Sequence, residues 1–269
     1  MLMSKQKVLS PKLDVVFQVL FGEIGSEEIT SSLLESILKQ DIDNLDFNQN
    51  PILRREFKDD KMGILDILAK INGTTNCNIE LQVVDKANIV ERMLYYWGKL
   101  YTRGIHSGDD YVSLFRTIVV LITDFDVLPD VGLDMHTSWK IIEEKNRKII
   151  LTDKFEFHII MMTKMDMASP EDKELLEWLY FLEDPESEKV KDIMKTNKAM
   201  KAAKDKLDKI SQDEKLRRIA ELRQKAIMDE KAIYRRGHEV GSEEGFAKRQ
   251  RSSVVQMAKL KAKMKLLRK

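Results

Sequence analysis

The chain has 269 residues, enough for one large domain or two smaller ones around a buried core. Hydrophobic residues make up 43% and charged residues 34%, a balance that excludes collagenous, mucin-like and wholly disordered chains. The formal net charge of +1 conceals an asymmetry: residues 245–269 hold nine basic residues and no acid, which leaves 37 basic and 45 acidic residues, net −8, for the rest. A basic arm on a mildly acidic body suits phosphates, on nucleic acid or at a membrane surface, and it also serves simple solubility.

No run approaches the roughly 18 uninterrupted apolar residues that a bilayer crossing needs, so a membrane span is not expected. The stretch from Met1 to Phe21 is broken by Asp14 and Gln18 and does not read as a signal peptide. The expected compartment is cytoplasmic. One cysteine, Cys77, fits a reducing compartment and excludes both an internal disulfide and a multi-cysteine zinc site.

In chain order, Ser10-Pro11 reads as a helix start, followed by Leu13, Val16, Phe17, Leu20 and Phe21 on one helical face and by Gly22 as a stop. Asp14 and Gln18 lie one turn apart on the polar side. A second helix is expected over Ser26 to Lys39. Ile52 to Phe57, Gly63 to Ile71 and Cys77 to Val84 then read as three strands of an antiparallel meander, with Asn72-Gly73 in one turn. Asn88 and Glu91 resemble a capping box for a buried helix reaching Ile105.

Tyr111 to Thr123 and Phe155 to Thr163 are rich in strand formers. Helices take over beyond, from Ser169-Pro170 to a stop at Asp184-Pro185, and then across a charged stretch at 188–236. There Ile193, Met200 and Leu207 lie seven apart, as in a coiled-coil arm, and Ser211 with Glu214 resembles a capping box. The domains expected are 1–165, a helical extension at 166–236 and a flexible basic tail at 237–269.

Three polar side chains stand out in the strands. Asp66 interrupts the apolar run Gly63-Ile64-Leu65-Asp66-Ile67-Leu68, where an ionised carboxylate is costly unless paired or bound to a metal. In Asn78-Ile79-Glu80-Leu81-Gln82, period-two alternation puts Glu80 and Gln82 on one face. Adjacent antiparallel strands can bring Asp66 and Glu80 together, where their repulsion is relieved by a shared proton or by a hard divalent cation. The same spacing also suits two separate acids at a sheet rim.

On the helix after Asn88, Arg92, Tyr96, Lys99 and Arg103 fall within roughly 60 degrees of one another, as three cations around one ring. Such a stripe suits a DNA backbone, and equally an ordinary solvated helix face. His106, His136, His158 and His238 lack the spacing of a helical zinc pair, and no glycine pattern calls for a nucleotide cofactor.

These segments together resemble the Rpn family of recombination-promoting nucleases and transposases, within the PD-(D/E)XK nuclease superfamily. The resemblance rests on Ser10-Pro11-Lys12-Leu13-Asp14-Val15-Val16-Phe17 with Leu20-Phe21-Gly22, on Gly63-Ile64-Leu65-Asp66, on Ile79-Glu80-Leu81-Gln82, and on Arg92-Met93-Leu94-Tyr95-Tyr96-Trp97 with Leu100-Tyr101. It continues through Gly108-Asp109-Asp110-Tyr111 to Ile122-Thr123-Asp124-Phe125, and covers about residues 10 to 165 in detail. It implies an α/β restriction-endonuclease-like core, a mixed central sheet flanked by helices, with a C-terminal helical and partly coiled-coil extension.

By the same resemblance, Asp66, Glu80 and the Leu81 carbonyl would hold Mg2+ or Mn2+, Gln82 would orient a water or phosphate oxygen, and Asp14 would face the cavity. The activity implied is metal-dependent DNA endonuclease action in recombination or mobile-element movement, with the helical arm pairing two copies. Two positions depart from the family pattern: Gln18 stands where a lysine is expected after Phe17, and Gly104 where a glutamine is expected. Lys70, four residues past Asp66, is a candidate for the missing charge. The competing reading is a decayed nuclease that serves as a DNA-binding or assembly module.

Overall fold

The computed structural model describes residues 7–47, 67–85 and 88–236. The chain divides into two compact units, residues 1–223 and 224–269. Of the second, residues 224–236 are described, and they are helical. Asp66, the strand expected at Ile52 to Phe57 and the basic tail at 237–269 lie outside the described residues.

The first unit is built on a sheet of six described strands: β1 (Leu45–Phe47), β2 (Ile67–Ile71), β3 (Thr75–Gln82), β4 (Arg116–Thr123), β5 (His136–Trp139) and β6 (Phe155–Met161), in the spatial order β1-β2-β3-β4-β6-β5. The pairs β1–β2 and β2–β3 are antiparallel, β3–β4 and β4–β6 are parallel, and β5 runs antiparallel on β6. Sequence chemistry sets this change of sense. Asn72 and Gly73 both take positive φ, 48° and 67°, the conformation a tight hairpin needs, and they turn β2 into β3. No short turn can join parallel neighbours, so the link from β3 to β4 runs through a helix, α3 (Ile89–Thr102).

Further helices are α1 (Asp14–Phe21), α2 (Glu27–Leu38), α4 (Lys173–Glu183), α5 (Glu188–Ile193) and α6 (Lys198–Ile210). The expected apolar face of α1 is buried through Val16, Phe17, Leu20 and Phe21. Phe21 meets Trp178 edge-on with ring centroids 5.8 Å apart, and Trp178 meets Phe181 in the same way. At the end of α1, a side chain on Gly22 would come within 2.9 Å of Ile67, so glycine lets this helix lie close on β2. The helix starts at Asp14, three residues later than Ser10-Pro11 suggests.

Helices α4 and α6 pack against α2, and α6 also meets α1, all within the first unit. The boundary expected between residues 165 and 166 therefore falls inside that unit. Met200 and Leu207, read from their spacing as a coiled-coil seam, are both fully buried. Their apolar stripe was legible; its partner is this chain's own helices.

Ser211 does not cap the helix that follows, because its Oγ accepts from the backbone of Leu9 at 3.0 Å. Asp213 takes that role, accepting from the Leu216 N–H at 2.7 Å, and residues 214–223 are helical. Asn88 likewise makes no side-chain cap and sits at φ 66°. The strand expected from Tyr111 begins only at Arg116, since Asp110 accepts from the Val112 N–H and winds 111–113 into a 3-10 turn. Among the described residues, no helix is long and apolar enough to cross a membrane.

Candidate active site

Strand β3 carries the polar group that matters most. Register pairs Asn78 with Leu68 and Val119, Glu80 with Leu121, and Gln82 with Thr123, so all three polar side chains share the sheet face that α3 covers. Asn78 is fully buried and Glu80 is 2% exposed. Burial pushes the Glu80 carboxyl up to about 7, although a hydrogen bond from Asn78 and the charge of Arg92 both act to lower it. The Asn78 amide donates from Nδ2 to Glu80 Oε1 at 3.2 Å, and its own Oδ1 is buried without a hydrogen-bond partner. An unsatisfied buried acceptor costs about 1–3 kcal/mol, so this strand carries polar chemistry that packing alone does not explain.

The donor set here is all oxygen: the Glu80 carboxylate, the Asn78 carbonyl and the Gln82 amide. That chemistry fits a hard divalent cation such as Mg2+. Among the described residues, no three His, Cys, Asp or Glu side chains converge to hold a metal. Leu81 points to the opposite face and is buried.

The first helix meets the same end of the sheet through a short relay. The Asp124 N–H donates to the Gln82 carbonyl at 3.0 Å, and Lys12 Nζ lies 3.5 Å from Asp124 Oδ1 and 2.6 Å from Glu183 Oε2. Two residues on, Asp14 accepts from Arg223 Nε at 2.6 Å. Arg223 is 209 residues away in sequence, and no local pattern announces it. Lys70, the candidate for the missing charge, instead lies 4.1 Å from the centre of the Phe115 ring. Gln18 brings no charge, and the cation that pairs with Asp14 is Arg223. Nothing lies within 4 Å of where a Gly104 side chain would begin, so no steric demand requires glycine there.

The helical stripe divides. Tyr96 is 1% exposed and packs with Ile89, Met93, Val119, Leu121 and Phe157, which corrects its assignment to a DNA-facing surface. A period of 3.6 residues places it near Arg92 and Lys99, but the ring is large and apolar enough to be drawn under the helix. Arg92 lies 5.9 Å from the Tyr96 ring and Lys99 5.0 Å from the Tyr95 ring, and both are half-buried. Arg103 is the helix C-cap, also half-buried. Arg92→Ala is expected to weaken binding to a DNA duplex and to lower the salt slope of log Kd by about 0.9, the release expected for one phosphate contact. Tyr96→Phe is expected to leave both unchanged, as fluorescence anisotropy over a salt series will read.

Sequence spacing missed Asn78, although Asn76, Asn78, Glu80 and Gln82 alternate in plain view along β3. It also missed a charged cluster on the opposite sheet face. His136 Nδ1 lies 3.1 Å from Asp172 Oδ1, His136 Nε2 lies 2.9 Å from His158 Nδ1, and His158 Nε2 lies 3.1 Å from Glu156 Oε1. Arg116 and Lys140 also reach Glu156, and Lys39 and Ser169 reach Asp172. Two neutral imidazoles bring two N–H groups, so three hydrogen bonds between ionised ends require one further proton.

Burial lowers the proton affinity of His136 against its bond to Asp172. For Glu156, burial would raise the pKa, but the bonds from His158 and Arg116 outweigh it and bring it down to about 2. Cys77 is buried, and burial pushes its thiol up to about 12, which removes it as a nucleophile.

The mixed sheet flanked by helices, with an acid buried toward the end of a central strand, is a restriction-endonuclease-like α/β fold. The model for the PD-(D/E)XK nuclease family transposases matches residues 11–237, and the chain belongs to that family. No curated protein and no solved structure matches it.

Proposed function

We propose that this chain is a divalent-metal-dependent endodeoxyribonuclease that cuts the DNA backbone during recombination or mobile-element movement. The observation that carries the proposal is the buried Glu80 carboxylate, held by Asn78, near the charge of Arg92, in a chain of the nuclease family. Asp66 joins Glu80 as the second acid in this reading. One peptide bond ties it to Ile67, whose Cα pairs with Ile79, the neighbour of Glu80.

When bound, Mg2+ or Mn2+ would supply an activated water and screen the charge that develops on the scissile phosphate. The chain's own groups do the rest. Glu80, Asp66 and the Leu81 carbonyl would hold the ion, and Gln82 would orient a water or phosphate oxygen through its amide. Asp14, fixed by Arg223, lines the approach from α1, and Arg92, Lys99 and Arg103 take phosphates on the flanking helix.

Residues 214–223 keep Ile219 and Leu222 exposed, three residues apart on one helical face. That segment, rather than 198–210, is the part of the arm on which a second copy would pair to cut both strands. The test is supercoiled plasmid incubated with the wild type and with Asp66→Ala, with and without Mg2+. Nicked and linear products from the wild type alone, and only with metal, are the expected result. DNA binding without cutting under every condition would replace this reading with that of a decayed nuclease.

A further inference from the structure

We propose that Asn78 is a positioning residue of this same site, holding Glu80 with its amide N–H and presenting Oδ1 to a water of the bound cation's hydration shell. The inference rests on the metal-dependent reading above and adds a residue to it.

The geometry gives Asn78 one orientation. Its Nδ2 donates to Glu80 Oε1 at 3.2 Å, and once a cation holds Glu80 ionised a flipped amide would set two acceptors against each other. With the amide so fixed, Oδ1 is an acceptor in need of a donor, and it is buried without one. Its neighbours across the sheet, Leu68 on β2 and Val119 on β4, carry no donor. Asn78 is fully buried, so bulk solvent does not supply one either. A side chain that only filled space there would be leucine, which has nearly the same shape.

Groups that orient a metal's ligand carry part of its affinity, and their loss typically weakens metal binding roughly 10- to 100-fold. The experiment is calorimetric titration of Mn2+, with Mg2+ as competitor, into the full-length wild type, Asn78→Leu, Asn78→Ser and Glu80→Gln. Both Asn78 variants are expected to bind Mn2+ at least about ten-fold more weakly. Asn78→Leu is expected to melt no lower than the wild type, because removing the unsatisfied Oδ1 and burying an apolar side chain offset the bond lost to Glu80. Plasmid nicking at saturating Mg2+ should fall as well, which separates loss of alignment from loss of affinity.

If Asn78→Leu or Asn78→Ser binds Mn2+ as the wild type does, while Glu80→Gln does not, Asn78 is a packing residue and this inference is overturned alone. If the wild type itself binds no Mn2+, the metal-dependent reading falls and takes the role of Asn78 with it.

Discussion

Glu80→Gln is expected to lower metal-dependent cutting roughly a thousand-fold while making the metal-free protein more stable at pH 8. The two effects have one cause. The carboxyl sits near 7 when folded and at 4.5 as a reference value, because burial opposes its charge. Below pH 4.5 both states hold the proton and Glu80 contributes nothing to the difference. As the pH rises from 4.5 toward 7 the unfolded chain ionises first, so stability falls; above 7 the loss levels off at about 3 kcal/mol.

Glutamine keeps the shape and an acceptor for Asn78 but carries no charge, so its stability should be flat across that window. Urea unfolding in the presence of a chelator, at pH 5 and pH 8, reads the difference. Equal stability of the two proteins at pH 8, or plasmid cutting by Glu80→Gln at the wild-type rate, would remove Glu80 from the centre of the site.

Glu156→Ala should unfold with about 3 kcal/mol less free energy at pH 7. Glu156 is 6% exposed and is the shared acceptor of Arg116, Lys140 and His158. Removing it leaves the buried His158 and the half-buried Arg116 without their carboxylate, which is worse than never having had the pair. The sign of the pH effect is opposite to that of Glu80. Its folded pKa, about 2, lies below the reference 4.5, so its stabilisation is complete above pH 4.5 and is lost as the pH falls through 2. The stability curves of wild type and variant should therefore converge toward pH 2. Curves that run parallel from pH 7 to pH 2 would mean that the cluster has no net hold on the fold.

Much of this architecture could be read from the chain. The apolar face of α1, the Asn72-Gly73 hairpin and the polar alternation of β3 are local signals, each fixed within about eight residues by backbone geometry. Strands β1 and β5 escaped because they are short: three residues in Leu45–Phe47, and the mostly polar His136–Trp139. Neither has enough alternation to register, and each is held by the strand beside it.

The site divides in the same way. Glu80 and Gln82 share a strand, so their alignment follows from period two. Tyr96 was misjudged because helical period gives direction around an axis but not which side chains the core draws in. The pairing of Asp14 with Arg223, and the histidine relay from Asp172 to Glu156, join separate segments that only tertiary packing brings together.

The long reach of those contacts has a consequence for how the protein is made. Leu9 binds Ser211, the Lys7 carbonyl binds Arg217, and Asp14 binds Arg223, so the start of the first unit is fastened by its end. A ribosome adding about 5–20 residues each second would expose Asp14 for roughly ten to forty seconds before Arg223 is even polymerised. The β2–β3 hairpin with Glu80 can form early and alone. The start of α1 is fastened only when synthesis of the unit is nearly finished, so a nascent or prematurely terminated chain carries that helix without its anchor.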